Sequence, residues 1–298
     1  MRSDAATDDL ADLAPEDQPR GGGGGRREII LRVITAIILA PLGAWACWVG
    51  GLPLIMATGA CAVLASAEWT RMASQTDAIW ARGLLHIVMA ATAAGAVYVA
   101  PDGIELVALV ALAGCVLSTA IVWLGKGSVS SMAFGAIYAS LPFGAFVWIR
   151  EGTPDGRFTL LALLAIVWAT DIAAYFAGRG FGGPLLSPKD SPNKTWTGAI
   201  GALVCAGLAG GAVARAAGGD FMHWLIASLL LSVVAQAGDL LESRFKRLYG
   251  VKDTSGIVPG HGGVLDRLDA LMAASVAAAL TLRFLPGIAP GFSSVVGG

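Results

Sequence analysis

The sequence predicts an all-α fold: a polytopic transmembrane helical bundle of about nine spans, with the N-terminus cytoplasmic. Three observations predict it. First, 56% of the 298 residues are hydrophobic and 14% are charged, against roughly a quarter charged in an ordinary soluble domain; mean hydropathy is +0.70. Second, apolar runs of roughly 17–22 residues recur along nearly the whole chain, close to the length that crosses ~30 Å of hydrocarbon. Third, Lys and Arg are distributed unevenly between alternate connections, as the positive-inside rule requires.

Residues 1–28 differ in kind from the rest. An acidic, Ala-rich stretch runs to Pro19, followed by Arg20, five glycines and Arg26-Arg27. Such a composition cannot offset the entropy of ordering and reads as a flexible cytoplasmic tail; it lacks the apolar core of a secretory signal. The predicted spans then follow at 29–49, 52–68, 81–99, 104–124, 132–149, 158–177, 198–214, 221–240 and 267–284. Residues 29–167 read as N-terminal transmembrane helices, and 168–298 as a C-terminal transmembrane catalytic region with cytoplasmic loops at 178–197 and 241–266. Pro41, Gly59, Gly95, Gly114 and Pro142 fall inside spans, where small residues permit close helix contact. Cys47, Cys61, Cys115 and Cys205 are scattered singly through apolar segments and read as small buried hydrophobes rather than disulfides or metal ligands. Glu68, Asp102 and Glu105 fall near span ends and read as interfacial, and His86 and His223 as structural.

With the N-terminus placed inside, the outer connections hold Arg150, Arg157, Arg215 and Arg283, leaving 16 of the 20 basic residues on the inner side. The two longest connections, 178–197 and 241–266, are both cytoplasmic in this scheme. Net charge is −1 with no basic face outside the short loops, which argues against nucleic acid as a partner.

The second long loop concentrates charge in a chain otherwise poor in it, and charge close to a membrane is expensive and marks function. Asp239 closes the eighth span; Asp266 opens the ninth, with Asp269 on the same helical face. Two carboxylates from separate helix ends can share a Mg²⁺ together with substrate phosphate oxygens. Lys246, Arg247, Lys252 and Arg267 are candidates for neutralising phosphate, and His261-Gly262-Gly263 lets backbone approach a ligand. In the first loop, Asp171 inside the sixth span costs roughly 2.5–3.5 kcal/mol near a helix centre, so it is expected to face the bundle and meet a cation. Arg179 and the turn-like Ser191-Pro192-Asn193-Lys194-Thr195 offer an ammonium, a guanidinium and hydroxyls to phosphate oxygens. No Walker A spacing is present. Acids for a divalent metal beside bases for phosphates point to phosphoryl or nucleotidyl transfer at a membrane surface.

Ser243, Lys246-Arg247, Lys252-Asp253, His261-Gly262-Gly263 and Asp266-Arg267-Leu268-Asp269 stand at the spacing of a family signature, and the chain resembles the phosphatidate cytidylyltransferases, or CDP-diacylglycerol synthases. Asp171, Ala174-Tyr175-Phe176, Gly178-Arg179 and the Ser-Pro-x-Lys-Thr element extend the resemblance to about 168–284. Thr197 departs from the Glu or Gln that relatives often carry. The resemblance implies transfer of CMP from CTP to phosphatidate with release of pyrophosphate, for phospholipid biosynthesis. It implies Mg²⁺ as cofactor, held by Asp239 and Asp266. It further implies catalytic roles for Asp171, Lys252 and His261, and substrate contacts from Arg179, Ser191, Lys194, Thr195, Lys246, Arg247 and Arg267. A homodimer in a bacterial inner membrane, with its site facing the cytoplasm, completes the expectation. Alternatives are a CTP-dependent polyprenol kinase, an ether-lipid cytidylyltransferase of archaeal type, and a secondary transporter of an anionic solute; activity on a lipid alcohol, or inverted repeats meeting at the midplane, would distinguish them.

Overall fold

The computed structural model describes residues 24–217, 220–255 and 262–284. Each predicted apolar segment folds as helix: α1 (Gly24–Val49), α2 (Gly51–Ala73), α3 (Ile79–Tyr98), α4 (Ile104–Leu124), α5 (Val129–Tyr138), α6 (Leu141–Glu151), α7 (Gly156–Phe181), α8 (Trp196–Ala217), α9 (Phe221–Leu248) and α10 (Leu265–Phe284). A hairpin of β1 (Leu185–Ser187) and β2 (Ser191–Thr195) connects α7 to α8. The helix α1 starts at Gly24, inside the stretch read as tail, because Arg26, Arg27 and Glu28 favour helix. The fifth predicted span is two helices. Pro142 stands in the first turn of α6, and its missing N–H and restricted predecessor break the continuous run.

Among the described residues, seven helical stretches are long and apolar enough to cross a membrane, α5 with α6 counting as one, and α1 adds the shorter apolar segment Ile37–Val49. Large apolar side chains such as Leu52, Ile87, Leu109 and Leu208 point outward, as a surface bathed in hydrocarbon requires. Where helices meet, alanines dominate: Ala62, Ala65, Ala93, Ala96, Ala206, Ala235 and Ala274 have no exposed surface. With lipid outside, association depends on close packing of small residues rather than on water exclusion. The helix α10 is apolar after its first turns, which carry Asp266, Arg267 and Asp269. It packs against α9, α6 and α7 and buries Ala270, Met272, Ala274, Ala278 and Ala279, so it needs little lipid-facing surface.

One end of the bundle is closed by arginines. Arg150 donates to the carbonyls of Cys47, Trp48 and Val49 at the end of α1, while Glu151 accepts the Gly51 N–H at the start of α2. Adjacent residues thus satisfy both helix ends left open by the tight turn at Gly50, whose φ is +72°. Arg157 lies over the Trp48 ring, and Arg283 pairs with Glu105. Asp239, Glu242, Asp266, Asp269 and Glu68 gather at the other end, where α2, α7 and α9 finish and α8 and α10 begin.

Candidate active site

The site starts from α9, which runs past its predicted end at 240 to Leu248. Residues 241–248 contain no helix breaker, Phe245 packs edge-on against Trp69 at 5.2 Å, and Lys246 and Arg247 suit the last turn of a helix. The extension puts Glu242 one turn beyond Asp239 on the same face. Opposite them, α10 presents Asp269. One carboxylate oxygen from each of Asp239, Glu242 and Asp269 lies within 4.8 Å of the other two, with Glu242 only 2% and Asp269 9% exposed.

This convergence depends on Gly238. A Cβ there would stand 2.4 Å from Ala273 Cβ and 3.0 Å from the Asp269 carbonyl oxygen, so α9 and α10 can touch only at a glycine. Gly238→Ala is expected to cost about 1–3 kcal/mol of overpacking and to part Asp239 from Asp269; thermal unfolding in detergent together with Mn²⁺ titration checks both effects.

Lys246 Nζ stands 2.7 Å from Glu242 Oε2 and 2.9 Å from Asp266 Oδ1. Lys246 thus sits between two carboxylates, and the Glu242 side chain is buried against it. Asp266 is bound differently. Its Oδ2 accepts the Gly263 N–H at 2.8 Å, the Thr254 N–H at 2.9 Å and the Thr254 hydroxyl at 3.0 Å.

Glu68 corrects the sequence reading. It is not interfacial but fully buried at the end of α2, accepting the Val264 and Leu265 N–H groups, both at 2.9 Å, and the Ser255 hydroxyl at 2.5 Å. It serves the open N–H groups at the start of α10, where a carboxylate is favoured.

The hairpin meets α9 at Asp239. Lys194, on β2, places Nζ 2.6 Å from Asp239 Oδ2. Ser191–Thr195 is therefore a strand and not the expected turn: it pairs Ser187 with Ser191 and Leu185 with Thr195. The turn falls on Pro188–Asp190, tied by the Ser187 hydroxyl to Asp190 at 2.9 Å. Thr195 caps α8 through the Gly198 N–H and contacts the Thr197 hydroxyl at 2.9 Å. Thr197 donates in turn to the Gly182 carbonyl, so at this departure from the family pattern a hydroxyl fastens the hairpin base. Asp171 is exposed on α7 rather than packed in the bundle, yet close enough to feel the charges of Asp239 and Lys194. Ser191 is half-buried, and Arg179, Arg247, Lys252 and Arg267 are exposed around this rim. Arg179 reaches the Tyr175 hydroxyl at 3.3 Å, and Arg247 reaches the Asp190 and Val251 carbonyls. His261 lies outside the described residues.

Five carboxylates (Asp171, Asp239, Glu242, Asp266 and Asp269) thus face two ammonium groups, Lys194 and Lys246. An all-oxygen set with excess negative charge fits a hard divalent cation such as Mg²⁺. An apolar cavity of about 250 Å³ runs among α1, α2, α6, α7 and α10, from Trp168 and Leu268 back toward Cys47 and Leu54 at the arginine end. Its lining includes Trp168, one turn from Asp171, and Leu268, next to Asp269. Reasoning from sequence assigned Glu242 and Glu68 no part. An acid one turn from Asp239, and a second carboxylate written into an apolar span, were the signals available.

A sequence profile of the cytidylyltransferase family matches residues 30–285. The chain is 39% identical over 249 residues to the phosphatidate cytidylyltransferase of Brucella suis biovar 1 (strain 1330), covering 82% of this chain and 89% of that protein. It is 34% identical over 249 residues to the phosphatidate cytidylyltransferase of Staphylococcus aureus (strain COL), covering 81% of this chain and 94% of that one.

Proposed function

The chain belongs to the cytidylyltransferase family, and from that premise we infer that it transfers CMP from CTP to phosphatidate, giving CDP-diacylglycerol and pyrophosphate. The observation that carries this reading is the meeting, at one end of the bundle, of a carboxylate cluster with ammonium groups from the hairpin and from α9, over an apolar cavity that runs back between the helices. A charged nucleotide and a lipid with a charged headgroup need those three surroundings together. The alternatives, a polyprenol kinase above all, find no support in the names of the relatives.

A phosphatidate oxygen attacks the α-phosphorus of CTP and pyrophosphate leaves in line. Such transfer needs positioning and charge neutralisation more than covalent help. Asp239, Glu242 and Asp269 would hold Mg²⁺, which when bound shields the triphosphate oxygens and draws charge from them. The remaining work belongs to the chain. Lys194 on the hairpin, with Arg179, Arg247, Lys252 and Arg267 around the rim, attracts and orients the triphosphate and steadies the pyrophosphate that departs. Asp266 holds Lys246, Thr254 and Gly263 in place. No strong base is required, because the phosphatidate headgroup is already anionic near neutral pH. The cavity lined by Trp168 and Leu268 takes apolar chain close to the reacting headgroup.

The acidic end is the cytoplasmic end in this reading. The outer-set residues Arg150, Arg157 and Arg283 all stand at the opposite end, which supports placing the site toward the cytoplasm of a bacterial inner membrane. The homodimer implied by the family resemblance is checked by the mass of the protein in detergent.

Purified protein in detergent with labelled CTP, phosphatidate and Mg²⁺ is expected to form labelled liponucleotide. Transfer of the γ-phosphate to a lipid alcohol instead would overturn the reading. Lys194→Ala removes one charge-assisted contact worth about 1.5–3 kcal/mol, so the CTP requirement is expected to rise about tenfold or more. An unchanged CTP dependence takes Lys194 out of the site.

A further inference from the structure

Glu68 joins parts of the chain far apart in sequence. Its partners Thr254 and Leu265 lie 186 and 197 residues away. The carboxylate has no exposed surface, and its two oxygens meet four groups. Oε1 accepts from the Ser255 hydroxyl and the Val264 N–H; Oε2 accepts from the Leu265 N–H at 2.9 Å and lies 3.2 Å from the Thr254 hydroxyl. The fit leaves no slack. A Cβ at Gly263 would come within 1.9 Å of Thr254 Oγ1 and 2.8 Å of Glu68 Oε2.

Thr254 ties this clamp to the acidic site. The same hydroxyl that faces Glu68 stands 3.0 Å from Asp266 Oδ2, and one hydroxyl proton serves one carboxylate at a time. Asp266 also holds Lys246, and Lys246 holds Glu242. A continuous run of polar contacts therefore leads from the end of α2 to the carboxylates that would bind the cation. The first turn of α10, whose N–H groups end on Glu68, also sets the position of Asp269.

We infer that Glu68 is a positioning residue for the transfer: by clamping Thr254, Ser255 and the first N–H groups of α10 to the end of α2, it sets Asp266 and Asp269 against Asp239 and Glu242, and so sets the affinity of the acidic site for its divalent cation. The inference rests on the metal reading given above. Glu68 touches no reacting atom; it acts through the loop and the helix start that it holds. Partners of this indirect kind typically change metal affinity 10–100-fold.

The test is Mn²⁺ titration of the full-length protein in detergent, followed by electron paramagnetic resonance, with thermal unfolding recorded in parallel. Glu68→Gln keeps the shape but replaces one acceptor oxygen with an NH₂ that cannot accept. Mn²⁺ affinity of the folded protein is expected to fall about 10–100-fold. A lower unfolding temperature with Mn²⁺ affinity unchanged would make Glu68 a helix cap only and overturn the proposal. Should Glu68→Gln fail to fold, Thr254→Val removes the shared hydroxyl at nearly constant volume. It is expected to weaken Mn²⁺ binding in the same direction, and unaltered binding overturns the proposal equally. Asp239→Asn separates this outcome from failure of the metal reading. Mn²⁺ binding lost in Asp239→Asn but intact in Glu68→Gln sinks the Glu68 role alone, whereas binding intact in Asp239→Asn sinks both.

Discussion

Asp239→Asn is expected to lower liponucleotide formation on the order of 10²–10³-fold, the range seen when one preorganised electrostatic group is removed from an active site. The substitution keeps size and removes charge where three elements converge. Asp239 shares the carboxylate cluster with Glu242 and Asp269 and receives the Lys194 ammonium at 2.6 Å. An amide leaves two carboxylates for the cation and turns an NH₂ toward either it or Lys194, and each contact is unfavourable. Labelled CTP assays with phosphatidate, beside Mn²⁺ titration, check the result. Both signals must fall together, and activity retained with weak Mn²⁺ binding would detach the cluster from the reaction.

Asp266→Asn sharpens the comparison. Sequence and resemblance pair Asp239 with Asp266 as metal ligands, whereas in the structure Asp266 Oδ2 is filled by three donors and Oδ1 by Lys246. Its loss is therefore expected to appear first as a less stable loop, with stability and activity declining in step. Loss of Mn²⁺ binding at unchanged stability would return Asp266 to the ligand set.

Most of the fold could be read in advance, because a hydrocarbon surround makes the signal simple: every stretch long enough to cross must be apolar and helical. The misreadings have local physical causes. Windows of hydropathy end where polar residues begin, so the prediction stopped the eighth span at 240, although helix propensity carries α9 on to Leu248 and brings Glu242 and Lys246 into the site. Pro188 and Pro192 suggested a turn throughout Ser191–Thr195, while the turn occupies Pro188–Asp190 and the next residues pair as a strand. Glu68 was missed because hydropathy treats a carboxylate at a span end as interfacial. The cost argument applied to Asp171 suits Glu68 better: Asp171 is exposed, and Glu68 is the acid found buried with donors on every side. Contacts such as Glu68 with Leu265 depend on tertiary packing, and no local pattern encodes them.

Lys246→Met is expected to destabilise the protein by about 3–5 kcal/mol without divalent metal, the typical cost of removing one partner from a buried ion pair. The side chains concerned are well enclosed, at 13% exposure for Lys246, 3% for Glu242 and 5% for Asp266, so water cannot take over the role of the ammonium. Methionine fills much of the volume and supplies no charge, which isolates the electrostatic effect from the packing effect. The consequence of interest lies in the metal dependence. A cation binding only the folded site stabilises it according to concentration over affinity, and in the variant it would also relieve repulsion that Lys246 normally relieves. Millimolar Mg²⁺ is therefore expected to raise the unfolding temperature of Lys246→Met by more than that of the unmodified protein. Equal stability of the two proteins in chelator would show that Lys246 neutralises nothing essential in the resting site. Its ammonium would then be reserved for the substrate phosphates, and Lys246→Met would raise the CTP requirement while leaving unfolding untouched.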